Sequence, residues 1–147
     1  MIRSCIFSTA TYGCESWCLR KADLKRIDVF EMKCYRRALK ISYTQHRRND
    51  DIRRELKVKP QNLINIIKQR KLKYFGHIKR HETLEKHILE AKVNGKRRRG
   101  RPPRRWEQDI KEWLDTDVTT AGHQALNRNL YRRMVREATS NTDTPPD

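Results

Sequence analysis

The sequence predicts a mainly α-helical fold: a small helical bundle with a short N-terminal extended segment, a basic loop and a disordered C-terminal tail. Two observations support this prediction. Apolar residues recur at intervals of three and four in several segments, which is the spacing of amphipathic helices. Apolar residues make up 35% of the 147 residues and charged residues 36%, so a thin core under a highly charged surface is expected, with room for one domain.

Residues 1–20 are expected to form an extended segment. Residues 6–12 are β-prone and run into Gly13, which favours a short strand followed by a turn. A lone strand needs partners, and no second convincing strand follows. We therefore expect this segment to begin in the middle of a larger fold.

Residues 21–93 are expected to form a helical region. Gly76 interrupts the third of its helices and indicates either a bend or a close contact. Apolar periodicity and turn signals place the helices over residues 23–41, 49–56, 61–80 and 84–93.

Residues 94–105 are expected to form a basic loop. Eight Lys or Arg and no acid lie between Lys92 and Arg105, and such a span has too little apolar content to fold alone. Helical spacing returns over residues 106–138, with a last helix expected over residues 120–138. Residues 139–147 are rich in Ser, Thr and Pro and are expected to be a disordered tail.

The formal charge of +17 favours a polyanionic partner. Nucleic acid is the first candidate, as DNA, RNA or both. A membrane partner is not expected, since no apolar run reaches the ~18 residues that span a bilayer. No signal peptide is recognised, so the four cysteines are expected to be reduced thiols.

Catalytic and metal-binding patterns are sparse. Asp50-Asp51 could in principle hold metal ions, but its polar setting favours the start of a helix, where acids oppose the helix dipole. Cys14-x3-Cys18 and His77-x3-His81 have ligand-like spacings but lie far apart in sequence. We therefore predict no catalytic residue, no metal site and no small-molecule substrate.

The candidate nucleic-acid-binding residues belong to the third helix and the basic loop. Arg99-Gly100-Arg101-Pro102 also matches the core of an AT-hook, in which Gly lets two arginines reach the floor of a narrow minor groove. The predicted set comprises Lys68, Arg70, Lys71, Lys73, His77, Lys79, Arg80, Lys96, Arg97, Arg98, Arg99, Gly100, Arg101, Arg104 and Arg105.

Several ordered blocks together resemble the C-terminal part of LINE-like (non-LTR) retrotransposon polyproteins. The similarity covers roughly residues 10 to 115, and the family places this region at the thumb and beyond it, after the reverse-transcriptase palm. The resemblance therefore implies that residues 1–20 are a remnant at the boundary between palm and thumb and that residues 21–93 are a thumb-like region. The blocks are YGCESW at 12–17, LKRI at 24–27, FEMKCYRR at 30–37, RKLKYFGHIKR at 70–80, GKRRRGRPPRRW at 95–106 and DI at 109–110.

The resemblance implies a fragment of an endonuclease and RNA-directed DNA polymerase. The family's Tyr or Phe followed by x-Asp-Asp is missing here, so the chain is expected to lack enzymatic activity by itself. The resemblance further implies a template-primer duplex as ligand, an upstream palm domain as partner, Mg²⁺ in the complete enzyme only, and a nuclear location with a cytoplasmic pool.

Two alternatives remain open at the level of sequence. The chain could be an AT-hook-like protein that binds the minor groove of A·T-rich DNA. It could also be a retrotransposon relic without function, in which the basic run acts only as a nuclear localisation signal.

Overall fold

The structure, a computed structural model, describes residues 2–58, 62–91, 99–100 and 104–140. Within these ranges it contains no β-strand, and the predicted mainly α-helical fold is confirmed. A π-helical turn at Ile2–Phe7 leads into the short helix α1, Ser8–Ala10. The other helices are α2 (Lys21–Ala38), α3 (Asn49–Glu55), α4 (Asn62–Arg80), α5 (Leu84–Glu90), α6 (Trp106–Leu114), α7 (Val118–Leu126) and α8 (Arg128–Ser140).

The N-terminal segment is helical, so the prediction of an extended segment was wrong. Phe7, Thr11 and Cys14 are spaced by four and three residues, and all three are buried. Burial of this stripe outweighs the β propensity of the residues around it. The Thr11 hydroxyl donates to the carbonyl oxygen of Phe7 at 2.7 Å, which pairs a buried polar group. Because this segment is not a strand, it needs no strand partners from a larger fold.

The first core joins the N-terminal segment to α2, α3 and the first half of α4. Its one buried acid is Glu31, which accepts hydrogen bonds from Tyr35 Oη at 2.8 Å and from the backbone N–H of Leu63 at 3.0 Å. Burial raises the pKa of Glu31. The buried apolar members of this core are Phe7, Cys14, Leu19, Met32, Tyr35, Ile52, Leu63 and Ile67.

The second core lies between the other half of α4 and helices α6, α7 and α8. Helices α4 and α8 pack closely against each other at Gly76, since a Cβ atom there would lie 2.5 Å from Tyr131 Cε1. The close contact expected at Gly76 is therefore present, and α4 continues as a helix through it. The buried members are Leu72, Phe75, Ile110, Ala121, Ala125, Tyr131 and Val135.

The C-terminal region has two helices where one was predicted over residues 120–138. Asn127 separates α7 from α8, and its side-chain oxygen accepts the backbone N–H of Leu130 at 3.2 Å. This is the hydrogen bond of a helix N-cap, so Asn127 starts a new helix. Helix α8 runs to Ser140, and residues 141–147 of the predicted tail lie outside the described ranges.

Candidate nucleic-acid interface

The basic residues of α4 divide into two sets. Lys71 is completely buried, whereas Lys73 and His77 are exposed. At 3.6 residues per turn, positions two apart point in nearly opposite directions. The cations that the sequence suggested as one gripping surface therefore lie on different faces of the helix.

Lys71 is an internal cation. Its Nζ donates to the carbonyl oxygen of Trp17 at 2.6 Å and to Oδ2 of Asp109. The same atom lies 4.8 Å from the centroid of the Trp106 ring, within the range of a cation–π contact. Burial lowers the pKa of the Lys71 ammonium, and the hydrogen bond to Asp109 opposes that effect. While it keeps these partners, Lys71 is not positioned to meet an external phosphate.

Asp109 connects Lys71 to the end of the basic run. Its Oδ2 also accepts the backbone N–H of Leu19 at 3.1 Å, and its Oδ1 accepts Arg104 Nε at 2.9 Å and Nη2 at 2.6 Å. Arg104 further donates to both oxygens of Glu112, at 2.9 and 2.7 Å. Hydrogen bonds to Glu112 and then to Asp109 raise the pKa of the Arg104 guanidinium. Lys71, Arg104 and Asp109 together form what we call the internal ion cluster.

Arg70 and Lys68 also turn toward the protein. Arg70 Nη1 donates to the backbone carbonyl of Thr11 at 3.1 Å and to its hydroxyl oxygen at 2.9 Å. Lys68 Nζ lies 5.8 Å from the centroid of the Trp113 ring, and burial lowers the pKa of Lys68. Both side chains fasten α4 to neighbouring segments.

The C-terminal end of α4 is bonded to its surroundings as well. Lys79 Nζ pairs with Glu90 Oε1 on α5 at 2.8 Å. Arg80 Nη1 donates to the carbonyl oxygen of Ala125 at 2.8 Å. Arg80 nevertheless borders the open space described next.

A cleft of about 480 Å³ opens between α4 and α8, and we call it the α4–α8 cleft. It is bounded by basic side chains from both helices, with Gln69, Tyr131 and Val135 completing the lining. The basic side chains are Lys73, His77 and Arg80 from α4 and Arg128, Arg132 and Arg136 from α8.

The register of α8 produces this arrangement. Tyr131 and Val135 lie four residues apart and are buried in the second core. Arg132 and Arg136 each lie one position further along, Arg128 lies one turn earlier on the same face, and all three arginines are exposed. Tyr131 Oη donates to the carbonyl oxygen of Leu72 at 2.9 Å, and burial raises the pKa of this phenol. The cleft therefore has an uncharged floor between two cationic walls.

Lys73 and the three arginines of α8 are free of acidic partners within the described ranges. No carboxylate lines the cleft. The ion pairs found between described residues involve neither Lys73 nor the three arginines of α8. Unpaired cations facing each other across a concave surface focus positive potential there. The α4–α8 cleft is thus a part of the described surface that is suited to an anionic ligand.

The sequence prediction omitted the α8 half of the cleft. Its signal was present, since Arg128, Arg132 and Arg136 recur every four residues and so share one face of a helix. The prediction relied instead on an apolar stripe through Leu126 and Leu130, and both of these side chains are exposed in the structure.

The basic run contributes few described residues. Arg99 and Gly100 are exposed, and Gly100 has a φ of +135°, which side chains rarely allow. Arg105 is exposed at the start of α6, whereas Arg104 is held inward in the internal ion cluster. The remaining predicted contacts Lys96, Arg97, Arg98 and Arg101 lie outside the described ranges.

The adjacent acids Asp50 and Asp51 lie in the first turn of α3, the position at which acids oppose the helix dipole. Asp50 pairs with Arg53 at 3.5 Å, and Asp51 pairs with Arg54 at 3.1 Å. Both acids therefore lie at the start of a helix and pair with arginines of the same helix.

The ligand-like His and Cys pairs stay apart. The ring of His77 on α4 lies 4.4 Å from the ring of His81, which follows the end of that helix. All four cysteines are free thiols, with Cys14 buried and Cys18 exposed. No group of three or more potential metal ligands occurs among the residues that the structure describes. In the same part of the chain, no helix has both the length and the apolar character needed to cross a bilayer.

Comparison with known proteins gives one informative similarity. The chain is 29% identical over 150 residues to an uncharacterized transposon-derived protein of Caenorhabditis elegans, and the alignment covers 95% of this chain. The chain spans about half (54%) of the length of that relative. No family model matches the sequence, and no solved structure matches it. The similarity agrees with the mobile-element part of the resemblance drawn from the sequence blocks.

Proposed function

We propose that this chain is a nucleic-acid-binding segment of retrotransposon origin, similar to the thumb and post-thumb region of a LINE-like reverse transcriptase and without catalytic activity of its own. The α4–α8 cleft is its main contact with nucleic acid. The proposed ligand is a template-primer duplex, of DNA, RNA or both, held through its phosphates.

The observation that carries this proposal is the set of unpaired cations in the cleft. Arg128, Arg132 and Arg136 offer planar guanidinium groups, which bind phosphate oxygens through two parallel hydrogen bonds. Lys73 faces them from α4 as a compact charge. Phosphate groups are the anions that such a surface recognises best, because each contact is both charged and directional.

The spacing of the α8 arginines suits one strand of a nucleic acid. Three residues at intervals of four span about 12 Å at 1.5 Å per residue. At about 3.4 Å of axial rise per nucleotide, that length corresponds to three or four phosphates of one strand. Contacts of this kind fix the position of the backbone and carry no sequence information.

The comparisons support the transposon origin in this proposal and do so at a coarse level. The relative is described as transposon-derived, and this chain matches about half of it. In the complete enzyme that the resemblance implies, the palm would supply the catalytic carboxylates and hold Mg²⁺, and another domain would supply the endonuclease. This chain would contribute grip on the duplex, in the nucleus.

The test replaces Arg128, Arg132 and Arg136 with Ala together and measures affinity for a short duplex as salt is varied. The slope of log K against log salt should become shallower by about 2 to 3, because each phosphate contact contributes about 0.9. The control replaces Arg26, Arg54 and Arg133, which are exposed arginines outside the cleft lining. An affinity and slope that change equally in both variants would refute the cleft as the binding surface.

The same assay distinguishes the AT-hook alternative from the phosphate-binding proposal. Gly100 is compatible with an AT-hook, because it is exposed and has a positive φ. Minor-groove recognition predicts a strong preference for A·T-rich over G·C-rich duplex that is lost on changing Gly100 to Ala. The phosphate-binding proposal predicts similar affinities for both duplexes and little effect of that change.

A further inference from the structure

We propose that Tyr43, supported by His46, is a stacking surface for an unpaired base of a single-stranded nucleic acid. This inference rests on the proposed function in one respect only, that the ligand is a nucleic acid. It adds a second contact with different chemistry, on the turn between α2 and α3.

Tyr43 is an aromatic side chain with almost no cover. It is 91% exposed, whereas Tyr131 beside the cleft is 3% exposed. The residues that follow Tyr43, from Thr44 to His46, are polar and exposed. These neighbours add no apolar area of the kind that binds another protein. An open aromatic face in polar surroundings suits a nucleobase, which is itself flat, aromatic and polar at its edges.

The turn that carries Tyr43 has a well-defined backbone conformation. Tyr43–Gln45 form a 3-10 turn, and the Ser42 hydroxyl oxygen accepts the backbone N–H of Thr44 at 3.4 Å. The His46 ring lies 5.8 Å from the Tyr43 ring at 59°. His46 itself has a φ of +45°, an uncommon backbone state that directs the chain away after the turn.

Both ends of the turn are fastened to the folded protein. Helix α2 ends in a Schellman arrangement, in which the N–H of Ile41 bonds the carbonyl of Arg36 at 3.0 Å and Lys40 has a φ of +52°. Arg36 Nη2 then donates to the carbonyl of Arg47 at 3.0 Å and to Asn49 Oδ1 at 2.6 Å. The backbone of this turn is therefore already ordered, and it loses little conformational freedom when a base stacks on the ring.

Cations flank the ring on both sides in sequence. Arg37, Lys40 and Arg48 are exposed, and the ion pairs among described residues do not include them. An aromatic face with neighbouring cations is the combination that binds single strands, since the base stacks and the backbone is neutralised. Bases inside a duplex are already stacked on each other, so the proposal predicts a contact specific to unpaired nucleotides.

The test measures binding of a single strand of about 12 nucleotides that contains one 2-aminopurine, a base whose fluorescence is quenched by stacking. Tyr43→Ala should weaken binding by about 5- to 150-fold and remove the quenching. Tyr43→Phe should retain both, because it keeps the aromatic face. The matched control is Tyr12→Ala, since Tyr12 is 87% exposed and lies beside Gly13 and Cys14, with no cation next to it in sequence.

The outcomes separate this inference from the proposed function. Loss of single-strand binding and quenching in Tyr43→Ala, with an unchanged salt slope, supports the stacking surface whatever the cleft variant shows. Equal binding by wild type, Tyr43→Ala and Tyr12→Ala overturns the stacking surface and leaves the cleft standing if its triple variant still weakens duplex binding. Failure of the wild-type protein to bind single strands while it still binds duplex overturns the stacking surface alone, and failure to bind either ligand overturns both.

Discussion

The internal ion cluster and the α4–α8 cleft use the same kinds of residue for opposite purposes. Lys71 and Lys73 are two positions apart on α4, yet Lys71 pairs with Asp109 under the Trp106 ring, and Lys73 faces open space opposite the α8 arginines. The first fixes the packing of helices and the second is free to bind an anion. A high count of cations therefore indicates a polyanion partner only after the cations already paired inside the protein are set aside.

The register of α4 explains the division. Ile64, Ile67, Lys71, Phe75 and Ile78 follow each other at intervals of three and four, and all are buried. Lys71 lies on the apolar stripe, so its ammonium group needs an acid inside the protein. Asp109 supplies that acid from a distant part of the chain, and the pair joins α4 to α6.

The largest effect is expected from removing the acid of the internal ion cluster. Asp109→Ala leaves both Lys71 and Arg104 without their buried partner, which should lower the free energy of unfolding by about 3–5 kcal/mol. Urea denaturation followed by tryptophan fluorescence measures this change. Asp50→Ala, at an exposed acid on α3, is the control and should have a much smaller effect. Similar losses in the two variants would contradict the structural role of the cluster.

A smaller effect is expected where α4 meets α8 beneath the cleft. Gly76→Ala places a methyl group against the buried Tyr131 ring and should lower the free energy of unfolding by about 1–3 kcal/mol. Gly122→Ala on α7 is the matched control, because its nearest neighbour is Lys79 Cε at 3.4 Å. That change should be neutral or stabilising by up to about 1 kcal/mol. If Gly76→Ala were also neutral, the close packing of α4 on α8 would be wrong.

The smallest effect separates the two lysines directly. Lys73→Gln should make the salt slope of duplex binding shallower by about 0.9, with a change in unfolding free energy within about 0.5 kcal/mol. Lys71→Gln should do the reverse, with reduced stability and an unchanged slope for the folded protein. Salt-dependent binding and urea denaturation of both variants make the comparison. A shallower slope in Lys71→Gln alone would exchange the roles assigned to the two residues.

Much of the fold could be predicted because helical periodicity is a local signal. The bounds of α3 and α4 agree with the sequence prediction to within about one residue, and α6 begins at residue 106, where helical spacing was expected to return. The N-terminal segment was missed because β-prone residue types masked the helical spacing of Phe7, Thr11 and Cys14. The break at Asn127 was missed because an apolar stripe on paper continued across a residue that caps a new helix.

The candidate site was harder to predict, because it depends on contacts distant in sequence. Nothing local shows that Arg132 faces Lys73, since they lie on helices separated by α5, α6 and α7. Likewise, Arg104 belongs to a basic run in the sequence, and only the fold places it against Asp109 and Glu112. Residue type and spacing indicated the ligand class, and tertiary packing selects which residues are free to meet it.

The α4–α8 cleft and the internal ion cluster are compared most directly in a single spectrum. Side-chain Nε–Hε resonances of arginine can be followed by nuclear magnetic resonance while a short duplex is added. If the α4–α8 cleft binds the duplex, the signals of Arg128, Arg132 and Arg136 shift in proportion to bound duplex, whereas that of Arg104 in the internal ion cluster stays in place. Shifts at Arg104 with unchanged signals from the three α8 arginines would contradict binding in the cleft.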